Sequence, residues 1–253
     1  FAVAQKEPTR SDFTDRYKFA ADDTYPSSEK LYDWELGYQY TAPRLSLGVN
    51  LYYMKYKDQL VPTGMVNDDS NALNTNVPDS YRRGVELSAS WRATGWFTVG
   101  ANATFSQNRI ENYVDALKDS PTYGKELGDM TIAYSPDVIA NAFLNFHHRG
   151  FEAVFHTQHV GKQYFTNNEN DALSLDAYCV TNLNLAYTFR TRSARSVRLG
   201  LLINNLFNAE YESNGYGYSY MDTWSGPAPV RIDEAYYFPQ APLNVLANVT
   251  VKF

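Results

Sequence analysis

The feature that most constrains this sequence is a strict alternation of apolar and polar residues that runs to its last position. The terminal segment 243–253 reads LNVLANVTVKF, and one face of it carries Val245, Ala247, Val249, Val251 and Phe253. The opposite face carries Leu246, Asn248, Thr250 and Lys252. A period of two residues is that of a β-strand. Such a strand could lie at the edge of a soluble sandwich or close a membrane barrel.

The same alternation recurs along the whole chain and predicts about ten strands. They lie near residues 1–5, 31–41, 45–53, 85–91, 97–105, 138–146, 151–155, 183–189, 197–203 and 243–253. Short turns are expected at 43–44, 94–95, 147–150 and 190–195, and long loops at 6–29, 61–80, 111–134, 165–176 and 210–237. Short and long connections therefore alternate. Outer-membrane barrels sort their connections in this way, with short periplasmic turns and long extracellular loops.

Composition narrows the class further. The net charge of −6 argues against nucleic acid as a partner, and no apolar run is long enough for a transmembrane helix. The single cysteine, Cys179, excludes a disulfide framework. The chain has 21 tyrosines, and its aromatic residues gather near the predicted strand ends. These features favour an all-β, transmembrane antiparallel barrel with aromatic girdles at the two membrane interfaces.

Four stretches in order resemble the C-terminal barrel of the TonB-dependent outer-membrane receptors. Residues 1–10, FAVAQKEPTR, resemble a strand-to-loop segment of that family, and residues 26–40, PSSEKLYDWELGYQY, resemble the segment that follows it. Residues 203–213, INNLFNAEYES, resemble the signature of the penultimate strand. The final aromatic residue, Phe253, resembles the signal that the barrel assembly machinery reads.

This resemblance implies a plugged barrel of roughly 22 strands, of which residues 1–253 would form the last ten or so. The plug and the first strands are then expected in an N-terminal part absent from this chain. The implied function is import of a scarce, bulky nutrient, such as an iron–siderophore chelate or cobalamin, across the outer membrane. The implied partners are the TonB complex through the plug, the lipid bilayer, the barrel assembly machinery and, as an open question, a surface lipoprotein. No cofactor is implied.

The candidate ligand contacts lie in predicted extracellular loops. Tyr216, Tyr218, Tyr220 and the nearby Trp224 offer flat surfaces with little conformational entropy, suited to a chelate or a large ring. Three cations of the first loop, Lys6, Arg10 and Arg16, are expected to meet an anionic ligand. Without a ligand role, the tyrosines would belong to a self-packed loop or an aromatic girdle, and the cations to a solvated loop.

Other chemistry is weakly represented. His156 and His159 are three residues apart on one predicted strand, so that they fall on opposite faces and make a poor metal pair. The acidic pairs at 22–23 and 68–69 could hold calcium, but solvated loop tips are the favoured explanation for them. Two alternatives stay open, a small barrel enzyme that uses one of these histidines and a passive porin. The expectation is a transporter with no catalytic residue and no resident metal.

Overall fold

The computed structural model describes residues 1–14, 25–66 and 72–253. It contains one short α-helix, α1 (Arg10–Thr14), and one 3₁₀ turn, η1 (Asp171–Leu173). The strands are β1 (Ala2–Lys6), β2 (Glu29–Thr41), β3 (Leu45–Val66), β4 (Ala72–Arg92), β5 (Phe97–Ile110), β6 (Met130–Thr131), β7 (Val138–His148), β8 (Phe151–Val160), β9 (Gln163–Tyr164), β10 (Ser174–Leu175), β11 (Tyr178–Phe189), β12 (Ser196–Asn204), β13 (Glu212–Asp222), β14 (Val230–Pro239) and β15 (Asn244–Lys252). None of the described helices is long and apolar enough to cross a membrane.

One antiparallel sheet dominates the described part of the chain. Ten strands follow one another in the order β1-β2-β3-β4-β5-β7-β8-β11-β12-β15, and β6 pairs with β5 beside this path. This confirms the predicted all-β class, and the ten strands of this path are the ten that were predicted; β6, β9, β10, β13 and β14 were not predicted. The two end strands, β1 and β15, each pair with one neighbour, so the described strands do not close into a barrel by themselves.

One face of this sheet is apolar from strand to strand. Leu36 pairs with Leu51, Leu51 with Val85, and Val85 with Phe105, so that a row of large apolar side chains crosses four strands. Leu36 remains 71% exposed and, on the last strand, Val249 remains 67% exposed. A contiguous apolar surface of this extent would be unfavourable in water, whereas it matches the hydrocarbon of a bilayer.

The opposite face is polar and lines the inside of the curved sheet. Glu35, Asn50, Glu86, Asn102 and Thr104 come from four neighbouring strands and share one recess. The amide of Asn50 donates a hydrogen bond to Glu86 (3.3 Å), and the amide of Asn141 donates one to Asn102 (3.2 Å). Alternation of apolar and polar faces along each strand is the arrangement of a barrel with a wet lumen.

Aromatic rings collect at both ends of the strands, as predicted. On the long-loop side, Trp34 lies 5.8 Å from Tyr53, measured between ring centroids, and Tyr53 lies 6.2 Å from Tyr81. On the short-turn side, Phe97 and Phe146 stack with centroids 4.4 Å apart, and Trp96 lies against Phe146. Amphipathic rings at the two interfaces anchor a membrane protein at a fixed depth.

Two expectations about the connections of the main sheet's first eight strands are wrong. The predicted loop at 61–80 is largely strand, because β3 and β4 continue to pair well beyond the apolar band. The reason is a small core outside that band, in which Val61 and Val77 are buried with Ile110. The predicted turn at 147–150 is shorter than expected, because β7 runs to His148 and only Arg149 and Gly150 adopt positive φ angles (49° and 86°).

An introduced charge is expected to destabilise the protein more on the apolar face of the sheet than on the polar face. Leu87→Arg places a cation in the apolar face of β4, where Leu87 pairs with Val49 and Ala103, and we expect it to destabilise the folded barrel by ~2–4 kcal/mol. Its neighbour Ser88 projects to the lumen side, so Ser88→Arg is expected to cost much less. The measurement is the free energy of unfolding of the intact protein in lipid vesicles by guanidinium titration. Equal losses for the two variants would contradict the assignment of faces.

Candidate functional site

A β-hairpin on the long-loop side carries the predicted tyrosines. The stretch 210–237, expected to be a loop, contains most of β13 and β14, which pair with each other as a separate two-stranded sheet. Because this hairpin connects β12 to β15, it lies at the end of the barrel where the long connections are. Tyr216 pairs with Tyr236, Tyr218 with Glu234, and Tyr220 with Ile232, so these side chains share one face.

The other face of the hairpin packs against the β8–β11 connection. Phe165 is 1% exposed and Leu173 is fully buried, and both lie beneath two glycines of β13. A Cβ atom on Gly215 would lie 2.7 Å from the ring of Phe165, and one on Gly217 would lie 2.9 Å from both Phe165 and Leu173. The glycines therefore let the strand approach this small core closely, which explains why the sequence alternates Gly and Tyr at 215–218.

The exposed face forms what we call the tyrosine ladder: Tyr216, Tyr218, Tyr220, Tyr236 and Trp224. Ring centroids lie 4.9 Å apart for Tyr216 and Tyr236, and 6.4 Å apart for Tyr218 and Tyr220. Trp224 continues the row, with its ring 6.2 Å from that of Tyr220 and tilted by only 2° from it. The rings thus present a continuous aromatic surface, of which Trp224 is the most exposed member at 74%.

A single carboxylate, that of Glu234, organises the ladder. It accepts hydrogen bonds from the hydroxyls of Tyr218 (2.6 Å), Tyr236 (2.8 Å) and Tyr220 (3.2 Å). The hydrogen bonds from Tyr218 and Tyr236 lower the pKa of Glu234 from its usual value. In turn, donation to Glu234 raises the pKa values of Tyr218 and Tyr236, so both hydroxyls stay protonated at neutral pH.

The tip of the hairpin is fixed by a local turn. One carboxylate oxygen of Asp222 accepts hydrogen bonds from the backbone N–H groups of Trp224 and Ser225, both at 3.0 Å. This is the geometry by which Asp starts a turn. A hydrogen bond from the Ser225 side chain, followed by those from the two backbone N–H groups, lowers the pKa of Asp222. The turn sets the position of the Trp224 ring at the end of the ladder.

The loop core beneath the hairpin is tied to the extended β3. Asn167 is fully buried; its amide donates to the carbonyl of Pro62 (2.6 Å) and its side-chain oxygen accepts from the N–H of Ala133 (2.7 Å). The side chain of Asn167 thereby links the β8–β11 connection to β3 and to the segment between β6 and β7. In addition, β13 approaches β3, which lies at the other end of the strand order. The hairpin that carries the tyrosine ladder is therefore packed against the β8–β11 connection and β3. We call this support, with Phe165, Leu173 and Asn167 at its centre, the platform.

The barrel features agree with those of one protein family. The profile of the family described as "TonB dependent receptor-like, beta-barrel" matches residues 9–206. The chain belongs to this family of TonB-dependent receptors. Members of the family are outer-membrane transport receptors rather than enzymes, which removes the enzyme alternative.

Solved structures agree with the fold of this receptor chain. It is similar to the ferric yersiniabactin uptake receptor FyuA from Yersinia pestis, with 19% identity, a TM-score of 0.64, and coverage of 99% of this chain and 34% of that one. For the copper transporter OprC the identity is 19%, the TM-score 0.67, and the coverage 99% and 36%. For the ferric-catecholate import receptor Fiu from K12 E. coli the values are 17%, 0.63, 98% and 31%. The chain thus spans about a third of the length of these receptors.

The predicted cations do not join the ladder. Lys6 lies 3.6 Å from Glu29 in an ion pair, and Arg10 is the first residue of α1. That helix is tied to β4 through Asp12, which accepts a hydrogen bond from the amide of Asn74 (2.9 Å). Between the hairpin and either cation, the described residues show no hydrogen bond, ion pair or ring contact. Arg16 and the acidic pairs at 22–23 and 68–69 lie outside the described residues.

The histidines give no metal site in the part of the chain that is described. His156 pairs with Asn182 and His159 with Cys179, so the two imidazoles lie on opposite faces of β8, as the spacing indicated. No group of three or more His, Cys, Asp or Glu side chains among the described residues is arranged to hold a metal ion.

Two residues of the site escaped the sequence argument. Glu234 and Tyr236 were placed at the end of a loop, whereas they are the cross-strand partners of Tyr218 and Tyr216. The alternation of Gly and Tyr at 215–218, followed at 230–238 by a second run with large side chains, was the available signal for a hairpin.

The close approach at Gly217 gives a test of the platform. Gly217→Ala adds a Cβ that meets Leu173, Phe165 and the carbonyl of Glu234 at 2.9–3.0 Å, and we expect overpacking to cost ~1–3 kcal/mol of hairpin stability. Hydrogen exchange of the hairpin amides should then quicken several-fold while the barrel strands are unaffected. Gly226→Ala, in the tip with nothing within 4 Å, is the matched control. Unchanged exchange in the Gly217 variant would refute this packing.

Proposed function

We propose that this chain forms part of an outer-membrane receptor that imports a metal chelate, and that the tyrosine ladder is a first contact for the ligand. The observation that carries this proposal is the exposed aromatic row on a hairpin that is held by a buried core at the long-loop end of the barrel. Rigid tyrosines supply large contact area at low entropic cost, and their hydroxyls add hydrogen bonds. These are the properties that a bulky chelate requires of its binding surface.

The names of similar proteins support the same cargo class. FyuA takes up ferric yersiniabactin, Fiu imports ferric catecholates, and OprC transports copper. The ligands named for these three receptors contain a metal. A metal chelate is therefore the favoured cargo here, with an iron–siderophore complex first and cobalamin second.

The open edges of the sheet indicate that further barrel strands pair with β1 and β15. In hydrocarbon an unpaired backbone N–H or C=O costs several kcal/mol, and β1 and β15 each leave one side unpaired among the described strands. We therefore place residues 1–253 as the C-terminal part of a larger barrel, with a plug that fills the lumen. Transport would be driven by the TonB complex acting on that plug, which is the part of the mechanism that lies outside this chain.

Removing the rings should weaken binding. The triple change Tyr216→Ala, Tyr218→Ala and Tyr220→Ala deletes most of the ladder, and we expect at least a tenfold loss of chelate affinity at the cell surface, or about 1.4 kcal/mol. The triple change to Phe keeps the rings and is expected to lose less. Affinity is measured by titrating the radiolabelled iron chelate onto cells that carry the intact receptor. An unchanged affinity in the Ala variant would rule out the ladder as a ligand contact.

The C-terminal residue should act on assembly. Phe253 follows β15 and is 93% exposed. Among the described residues it makes no ring contact with the tyrosine ladder. We expect Phe253→Ala to lower the yield of folded barrel while receptors that do fold keep their chelate affinity, because the residue belongs to the proposed signal for the assembly machinery. The readout is the fraction of heat-modifiable barrel in outer-membrane preparations, with Phe253→Tyr as control. A normal folded yield for the Ala variant would argue against this role.

A further inference from the structure

The tyrosine ladder has the electrostatic character of a cation site. The face of an aromatic ring is electronegative, and cations bind to it within about 6 Å of the centroid. Here several rings share one surface, and the carboxylate of Glu234 lies among their hydroxyls. The lowered pKa of Glu234 keeps that carboxylate charged. The ring faces and the carboxylate therefore both contribute a negative electrostatic potential to this surface.

Three of the hydroxyl donors of the ladder are already committed. The O–H groups of Tyr218, Tyr220 and Tyr236 all donate to Glu234, so toward a ligand these oxygens offer lone pairs and no proton. An anionic ligand needs donors or cations. Beyond the Tyr216 hydroxyl and the Trp224 indole N–H, this surface would have to give up its own hydrogen bonds to supply donors. A ligand with N–H⁺ donors meets oxygens whose lone pairs are unused.

The charged residues of the hairpin have the same bias. Residues 212–239 contain four acids, Glu212, Asp222, Asp233 and Glu234, and one base, Arg231. The guanidinium of Arg231 is held by Asp233 (2.8 Å) and by the hydroxyl of Ser219 (3.1 Å). Ser219 and Asp233 pair with each other on the face that carries Gly217, opposite the ladder. The one base of the hairpin is therefore neutralised and turned away from the aromatic surface.

From this arrangement we propose that the tyrosine ladder recognises a positively charged group, an ammonium or guanidinium, on the imported chelate. The inference rests on the proposed function for its cargo and deepens it by naming the charge class. Glu234 is then a specificity-determining residue. It favours chelates that are cationic or carry a cationic arm, and it disfavours polyanionic chelates such as tricatecholates.

The decisive experiment compares chelates that differ in one charge. A linear iron(III) trihydroxamate that ends in a free ammonium group is titrated against the intact receptor in nanodiscs, alongside the same chelate with that amine acetylated. Quenching of tryptophan fluorescence reports binding. The receptor is tested unaltered, as Glu234→Gln, and as Glu210→Gln, which removes the same charge just before the hairpin and has no hydrogen bond or ring contact with the ladder among the described residues.

The expected result is that the ammonium chelate binds about tenfold more tightly than the acetylated one. Glu234→Gln should abolish this preference, and Glu210→Gln should preserve it. Equal affinities for the two chelates in the unaltered receptor, or a preference that survives Glu234→Gln, would overturn the inference and leave the proposed function standing. Suppose instead that an iron(III) tricatecholate binds more tightly than the ammonium chelate, and that Glu234→Gln strengthens its binding further. The ladder would then prefer anions, and the inference would be overturned.

A simple cation separates this inference from the proposed function. Saturation transfer from receptor protons to the methyl groups of tetramethylammonium, measured by NMR, reports occupancy of the ladder without any chelate. We expect a signal that is lost in Glu234→Gln and in the triple Tyr→Ala variant. If that signal appears but neither trihydroxamate nor tricatecholate binds, cation recognition holds and chelate import fails. If no signal appears, the ladder does not recognise cations, whatever the chelates do.

Discussion

The need to pair every backbone polar group within hydrocarbon governs the rest of this structure. Lipid offers no hydrogen-bond partner, so a chain that crosses it in strands must place each strand between two neighbours. The long antiparallel path from β1 to β15 follows from that requirement. Once the strands are paired, alternation along each of them assigns one face to lipid and the other to the lumen. The girdles, the polar recess and the outward platform are all positioned by this one sheet.

The sequence predicted the parts of the fold that contact lipid. Within the bilayer the two faces meet environments of very different polarity, so residues such as Leu36 and Leu51 alternate clearly with Gly37 and Asn50. Beyond the bilayer that contrast disappears. Val61 and Thr63 of β3 are both buried there, although they are neighbours in a polar stretch, and the polar composition of 61–80 therefore predicted a loop. Local patterns carry no information about the distant residues that bury such a segment.

The ligand site was predictable only in part, for a related reason. The cluster of Tyr216, Tyr218 and Tyr220 is visible in the sequence, because aromatic residues at every second position are unusual in a loop. The carboxylate that joins their hydroxyls is more than ten residues away and becomes a neighbour only through cross-strand pairing. From the sequence, the three cations Lys6, Arg10 and Arg16 suggested an anionic ligand. The preference for a cationic group that we propose rests instead on Glu234 and its cross-strand neighbours.

The alternation of Gly and Tyr along β13 has a consequence for how this surface can diversify. Packing on Phe165 and Leu173 depends on positions 215 and 217, while the exposed rings of β13 stand at positions 216, 218 and 220. Mutations in one set leave the other set's neighbours in place. With the ladder as the proposed ligand contact, the outward positions can change one residue at a time without loss of the packing that holds the hairpin. A receptor built in this way can follow changes in the chemistry of its surroundings faster than its scaffold evolves.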